Sequence, residues 1–335
     1  MNVKGVVFGQ CIGDALGLAT EFMKKDEIKL KYPNVDYFKY SDIVQDYHRT
    51  AWKKGDWTDD SDQMLIILKC ILENNLTKEN FAKKLNDWYH NGHPEFGDTN
   101  SAGIGNTVRW VINEEDFVTN PHKASRMIWE TTMCSSASNG AVMRTSIIGI
   151  LDSVDEVVEK SVEICKCTHY DVKCRISCIF ISCLVHYLIR DTDIRNSIIN
   201  SKKQVFDYLK LTIKYKEEWG AITDKNYFNK AWNEFEKTIR IHDLKELNLE
   251  EHIGYTFKPV GCAIWALTSK KTYQEAINEI IFEGGDSDTN AAVAGAILGS
   301  YVKFRRFPEH LVDGLVFKTE LEKYCQILND RFTKT

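Results

Sequence analysis

Four glycines, Gly5, Gly9, Gly13 and Gly17, stand four residues apart at the start of this 335-residue chain. A helix turns once every 3.6 residues, so this spacing lines all four along one face. Each glycine costs up to about 1 kcal/mol relative to alanine inside a helix, and a stripe of four calls for a packing reason. Lacking a Cβ, the stripe admits a second backbone at close range. A partner of matching character lies near the other end of the chain, where Asn290-Ala291-Ala292-Val293-Ala294-Gly295-Ala296-Ile297-Leu298-Gly299 is built mostly of small residues. Tight core packing by itself accounts for such a pair. A functional reading adds that the packing brings together the acidic residues at the ends of the two helices.

The rest of the chain also favours helix. Five prolines and 19 glycines leave few breakers for a fold of many short strands, and no run of period-two alternation bounded by hairpin turns occurs. Phe81, Leu85, Trp88 and Tyr89 have helical spacing, after the capping candidate Thr77 and before Gly92. Ser153 with Glu156 and Thr272 with Glu275 have capping-box spacing, and Pro121 and Pro308 suit first-turn positions. The expectation is an all-α chain with no fixed-period repeat and no linker, forming a single domain over residues 1–335. The polar stretch 200–252 keeps helical periodicity through Phe206, Leu209, Ile213, Trp232 and Phe235 and reads as a helical excursion on that domain.

Forty-three basic and 48 acidic residues, interspersed, give a net charge of -5, so no field points to direct nucleic-acid binding or to an anionic membrane. The apolar stretch 3–18 is broken by Gln10 and Asp14 and followed by Glu21, too short and too interrupted for a membrane span or a signal peptide. Five of the ten cysteines, Cys165, Cys167, Cys174, Cys178 and Cys183, crowd into 19 residues. They read as reduced thiols, and the compartment as cytoplasmic.

Carboxylates gather beside helix termini in three places: Asp14 to Glu21, Thr58-Asp59-Asp60-Ser61-Asp62, and Gly284-Gly285-Asp286-Ser287-Asp288-Thr289-Asn290. N-capping and complementing a helix dipole account for one or two acids per terminus, and the second and third clusters exceed that. Their five aspartates, with flanking Thr and Ser, are the donors that hard divalent cations prefer, magnesium before zinc. An EF-hand is rejected, since Ala291 occupies the place of its turn glycine and Ile297 that of its bidentate glutamate. On pattern alone, capping and a metal site both stay open.

Taken in order, Gly13-Asp14-Ala15-Leu16-Gly17, Trp57-Thr58-Asp59-Asp60-Ser61, Ser138-Asn139-Gly140-Ala141-Val142-Met143-Arg144, Thr168-His169 and the 284–290 segment resemble the ADP-ribosylglycohydrolase family, over about residues 5 to 315. The resemblance implies an all-α, orthogonally packed fold with a dinuclear metal cleft that holds the distal ribose of ADP-ribose. It implies two magnesium ions, or manganese in their place, on Thr58, Asp59, Asp60, Asp286, Asp288 and Thr289. Gly103, Gly105, the 136–140 loop with Ser136, Ser138, Asn139 and Gly140, and His169 would form the substrate side. The implied activity is magnesium-dependent hydrolysis of the N- or O-glycosyl bond joining ADP-ribose to a protein side chain. Glu21, Asp59 and Asp60 would be catalytic, and ADP-ribose or an ADP-ribosylated protein the partner.

Two departures from the family pattern bear on mechanism. Gly103 stands where some members carry an aspartate with an acid/base role, which leaves Glu21 or a metal-ligating aspartate as the base. Ala137 stands where some relatives place a larger or aromatic residue. Two other functions stay open: an ADP-ribose-binding module without turnover, and a metal-dependent phosphoesterase acting on nucleotides, since paired metals also serve phosphoryl chemistry. Judged without the resemblance, His169 is a structural histidine, Cys174 and Cys178 are buried thiols before they are a zinc site, and Trp88, Tyr89 and Trp265 are core. Asp14 accepts from neighbouring backbone or from an arginine such as Arg144, or else supports metal ligands from behind. The acceptor residue and the oligomeric state are not legible.

Overall fold

The computed structural model describes residues 2–215 and 225–333. In it, the helices Val3–Gly17 and Ser287–Tyr301 lie in direct backbone contact along the glycine stripe. A Cβ placed on Gly5, Gly9 or Gly13 would stand 2.1, 2.2 and 2.1 Å from the carbonyl oxygens of Gly299, Gly295 and Ala291 respectively. On Gly17 it would meet Asp288 Cα at 2.4 Å. Alanine at any of the four would force the helices apart, which is the packing reason the stripe calls for. The pairing order makes the two helices antiparallel. The C-terminal end of the first, carrying Asp14, therefore lies beside the N-terminal end of the second, carrying Asp288.

Among the described residues there are sixteen α-helices, several 3-10 turns, no strand and one isolated bridge, between Ser138 and Tyr255. The all-α expectation holds. Around the central pair, Phe257–Thr268 covers Ser287–Tyr301, while Val172–Leu188, buried on nearly every side, is flanked by Val154–Lys166 and Ile194–Tyr215. Thr77 caps Lys78–Asn91 by accepting from Asn80 N, and Phe81, Leu85 and Trp88 are buried along its inner face. Thr272 and Glu275 close their capping box. Ser153 instead caps through Asp155 N, two residues on. Pro121 opens Pro121–Thr131, whereas Pro308 sits just before Glu309–Asp313 and not in its first turn.

Within the polar stretch 200–252, residues 216–224 lie outside the described residues. To either side of them Leu209 and Phe235 are buried, Phe235 edge-on to Phe180 at 5.0 Å, and Phe206 is 40% exposed. Cys165, Cys167, Cys174, Cys178 and Cys183 are buried free thiols, and Trp88 and Trp265 are core. No helix among the described residues is long and apolar enough to cross a membrane.

Candidate active site

The acidic wall is assembled by the antiparallel pair and by the helix Asp59–Leu72, which begins at the N-cap Thr58. Asp14 ties the two together. Buried in the last turn of its helix, it accepts from Thr58 N at 3.0 Å and Thr58 Oγ1 at 2.9 Å on one oxygen, and from Ser61 N at 2.9 Å on the other. Its partners are thus backbone and a hydroxyl, not Arg144. Burial raises its carboxyl to about 6, against the pull of these bonds.

From this anchor the first helical turn divides its acids. Asp59 and Asp60 point one way, into a cavity of about 310 Å³ that Glu21, Asp286, Asp288 and Thr289 also line. Asp62 points away, so the donor set read from sequence loses one of its five aspartates. Trp57 Nε1 donates to one Asp62 oxygen at 2.8 Å and Trp88 Nε1 to the other at 3.0 Å. Asp62 lines a separate pocket of about 230 Å³ with Trp52, Asp56, Trp57, Asp98 and Phe317.

Inside the larger cavity, negative charge outruns its partners. Asp60 accepts from Thr289 Oγ1 at 2.9 Å and faces Thr58 Oγ1 at 3.0 Å, but that hydroxyl has one proton and Asp14 also claims it. Asp59 accepts from Gln63 Nε2 at 2.8 Å, and Asp286 from Asn139 Nδ2 at 2.7 Å. Asp288 Oδ1 is buried without a hydrogen-bond partner. Burial, reinforced by the neighbouring carboxylates, holds Asp59, Asp60 and Asp288 well above the usual carboxylate range. Carboxylate oxygens of Asp14, Asp60 and Asp288 lie within 4.8 Å of one another, and so do those of Glu21, Asp286 and Asp288. Hard oxygen donors in this number, one of them orphaned, fit a divalent cation.

Glu21 sits in the turn after the first helix. The turn is fastened to the glycine pair of the third acidic segment: Phe22 N donates to Gly285 O at 2.7 Å, and Gly285 N to Met23 O at 2.9 Å. His48 Nε2 lies 2.6 Å from Glu21 Oε2. Burial raises the Glu21 carboxyl, and the bond to His48 opposes that rise.

The rest of the lining is an uncharged wall that includes Gly103, Gly105, Asn106, Thr107, Ser138, Asn139, Gly140 and His169, and it meets the acidic wall where Gly103 abuts Asp59 and Asn139 bonds Asp286. Asn139 N is taken by Gly254 O at 2.9 Å, and the helix that follows the loop, Val142–Thr145, is only four residues long. His169 is buried between Thr168 Oγ1 at 2.8 Å and Ser138 Oγ at 2.9 Å. Cys174 Sγ donates to Ser138 O at 3.3 Å. Of the catalytic, metal and substrate-side residues that the family resemblance implies, Thr58 lies behind the acidic wall and Ser136 lines a small adjoining pocket with Thr107 and His169; the others line the main cavity.

Sequence reasoning missed Phe22, His48, Gln63, Thr107 and Gly254. Gln63 was findable, since it stands at helical i+4 spacing from Asp59. His48 and Gly254 lie in segments whose local pattern carries no such signal.

Residues 2–335 match the family model described as ADP-ribosylglycohydrolase. An uncharacterized protein of Archaeoglobus fulgidus is 25% identical over 96% of this chain and 93% of its own length. The ADP-ribosylarginine hydrolase Tri1 of Serratia proteamaculans is 24% identical over 98% of this chain and 78% of its own length. A solved structure, of an ADP-ribosylglycohydrolase-related protein complex, aligns with a TM-score of 0.62 over 98% of this chain and 96% of that chain, at 20% identity; that likeness speaks for the fold.

Proposed function

The chain belongs to the ADP-ribosylglycohydrolase family, and from that premise we propose that it is a magnesium-dependent hydrolase cleaving the glycosidic bond between ADP-ribose and a protein side chain. The observation that carries this reading is the division of one cavity into a wall of crowded carboxylates and a wall of hydroxyls, amides and glycines. The first suits cations, and the second suits a sugar and its phosphates. Asp59, Asp60, Asp286, Asp288, Thr58 and Thr289 would hold two magnesium ions, with Asp14 bracing Thr58 and Ser61 from behind. When bound, the ions supply positive charge that orients the ribose hydroxyls and activates water.

The chain's own residues do the rest. Ser138 and Asn139 bind and orient the ligand by hydrogen bonds, with His169 held behind Ser138. Glu21, steadied through one oxygen by His48, has its other oxygen to take the proton of the attacking water. The Serratia relative's name makes arginine-linked ADP-ribose the first substrate to try.

The test is release of free ADP-ribose from arginine-linked and serine-linked peptides, in magnesium and in chelator. Magnesium-dependent release, faster from arginine, is expected. Binding of ADP-ribose without release from either peptide would make the protein a binding module, and phosphate release in its place a phosphoesterase. In the same assay Glu21→Gln should lower kcat roughly 10²- to 10⁴-fold and leave ADP-ribose affinity nearly intact. A normal rate would return the base to an aspartate of the ligand set.

A further inference from the structure

A buried cation stands behind both walls. Arg144 is wholly buried, and its guanidinium donates to neutral acceptors: Nη1 to Gln63 Oε1 at 2.7 Å, and Nη2 to Thr168 Oγ1 at 2.6 Å and Ile164 O at 3.3 Å. The Phe81 ring centre lies 4.9 Å from its Cζ. Gln63 and Thr168 each pass a hydrogen bond on to a different wall of the cavity.

A guanidinium can only donate, and that fixes the direction of both chains. Gln63 must turn its oxygen to Arg144, so its Nε2 is the atom that meets Asp59 Oδ2 at 2.8 Å. Thr168 Oγ1 receives a proton from Arg144 and has one of its own to give. The neighbour able to accept it is His169 Nδ1, 2.8 Å away. A neutral imidazole that accepts at Nδ1 carries its proton on Nε2, which lies 2.9 Å from Ser138 Oγ. With an acceptor site so filled, Ser138 is left to donate, to Thr107 Oγ1 at 3.0 Å or to an anionic ligand. Burial, and after it the Arg144 charge, pushes His169 down to about 3, which keeps the ring neutral.

We propose that Arg144 is a positioning residue that sets the hydrogen-bond polarity of both walls: through Gln63 it supplies Asp59 with a donor, and through Thr168 it holds His169 in the Nε2–H form that makes Ser138 a donor. The benefit to ligand binding rests on the function proposed above; the direction of the two chains does not.

Imidazole ¹⁵N spectra of the full chain, labelled in histidine and assigned with His169→Gln, read the tautomer without any ligand. Wild type should show His169 protonated at Nε2 alone at neutral pH. Thr168→Val, which removes the relaying hydroxyl and keeps Arg144, should shift the ring toward Nδ1–H and weaken free ADP-ribose about tenfold by calorimetry, with kcat at saturation changed less. Thr168→Ser should restore both. Arg144→Lys, which keeps a charge and loses the fork, should reproduce the shift; if it fails to fold, Thr168→Val decides. An Nδ1–H ring in wild type, or an unchanged tautomer in Thr168→Val, overturns the proposal. Absence of ADP-ribose binding in wild type sinks the function and leaves the tautomer result to stand by itself.

Discussion

Asp60 and Asp62 leave the same helical turn two residues apart and meet opposite fates. Asp60 is buried and Asp62 largely so, and desolvation holds both carboxyls well above the usual carboxylate range. Asp62 is answered in full, one indole N–H to each oxygen. Asp60 has one hydroxyl to itself and another that it shares with Asp14, and the carboxylates of Asp14, Asp59 and Asp286 add to its burden. Burial and acidity therefore do not distinguish a candidate site from a structural carboxylate. Unfilled hydrogen-bonding capacity does.

The largest effect expected from that contrast is on turnover. Asp60→Ala and Asp286→Ala, far apart in sequence and lining one cavity, should each abolish ADP-ribose release while circular dichroism and thermal unfolding stay close to wild type. Near-normal rates in both would reduce the two acidic clusters to helix caps. Asp62→Ala should do the reverse. It strands two buried indole N–H groups, each worth about 1–3 kcal/mol, so urea unfolding should show a loss of roughly 2–6 kcal/mol, with kcat kept wherever the variant is folded. A drop in kcat at unchanged stability would erase the distinction between the two aspartates.

How much of this was legible follows the same line. The glycine stripe named its partner helix correctly because backbone contact leaves no choice of residue: only a missing Cβ fits where Gly299, Gly295 and Ala291 approach. Thr77, Thr272 and Pro121 marked helix starts because capping is local chemistry. Pattern alone counted Asp62 with the other four aspartates of its clusters, because its partner Trp88 comes from another helix and no local spacing announces that contact. Arg144 was offered to Asp14 for the opposite reason. Charge suggests an ion pair, but the fold gives Asp14 backbone and hydroxyl donors and sends Arg144 to Gln63 and Thr168.

A smaller effect should appear as pH dependence on the Asp62 side. His93 is buried with Nε2 donating to Asp62 O at 3.1 Å and Nδ1 accepting from Lys69 Nζ at 2.9 Å, so a second ring proton has no place. Burial, with the Lys69 charge behind it, lowers this histidine to about 4. Folding thus favours the neutral ring. That contribution is complete above the unfolded value of about 6.5 and is lost as pH falls toward 4, by about 2 kcal/mol between pH 6.5 and 5. Asp62 pulls the other way, since a raised carboxyl makes the folded state gain on acidification. The measurement is therefore the difference in urea stability between wild type and His93→Gln at the two pH values; parallel behaviour would show that His93 is not held neutral.

The smallest effect belongs to the partition between the two regions. Gly103 has φ +87°, and a Cβ there would stand 2.9 Å from Asp59 Oδ1 on the cavity side and 3.1 Å from Trp52 Cζ2, whose ring lines the Asp62 pocket. Glycine is thus favoured by conformation and by space, and a larger residue entering this position would press on Asp59 or Trp52. Gly103→Ala should cost about 1–2 kcal/mol from the left-handed backbone, and the added methyl must push on one neighbour or the other. Asp59 is held on its second oxygen by Gln63, so a shift of its first oxygen would be felt in catalysis. A modest fall in kcat beside the stability loss is expected, which places the strain on the Asp59 side. Loss of stability with kcat intact would mean that Trp52 yields instead, and that Gly103 belongs with the structural region around Asp62.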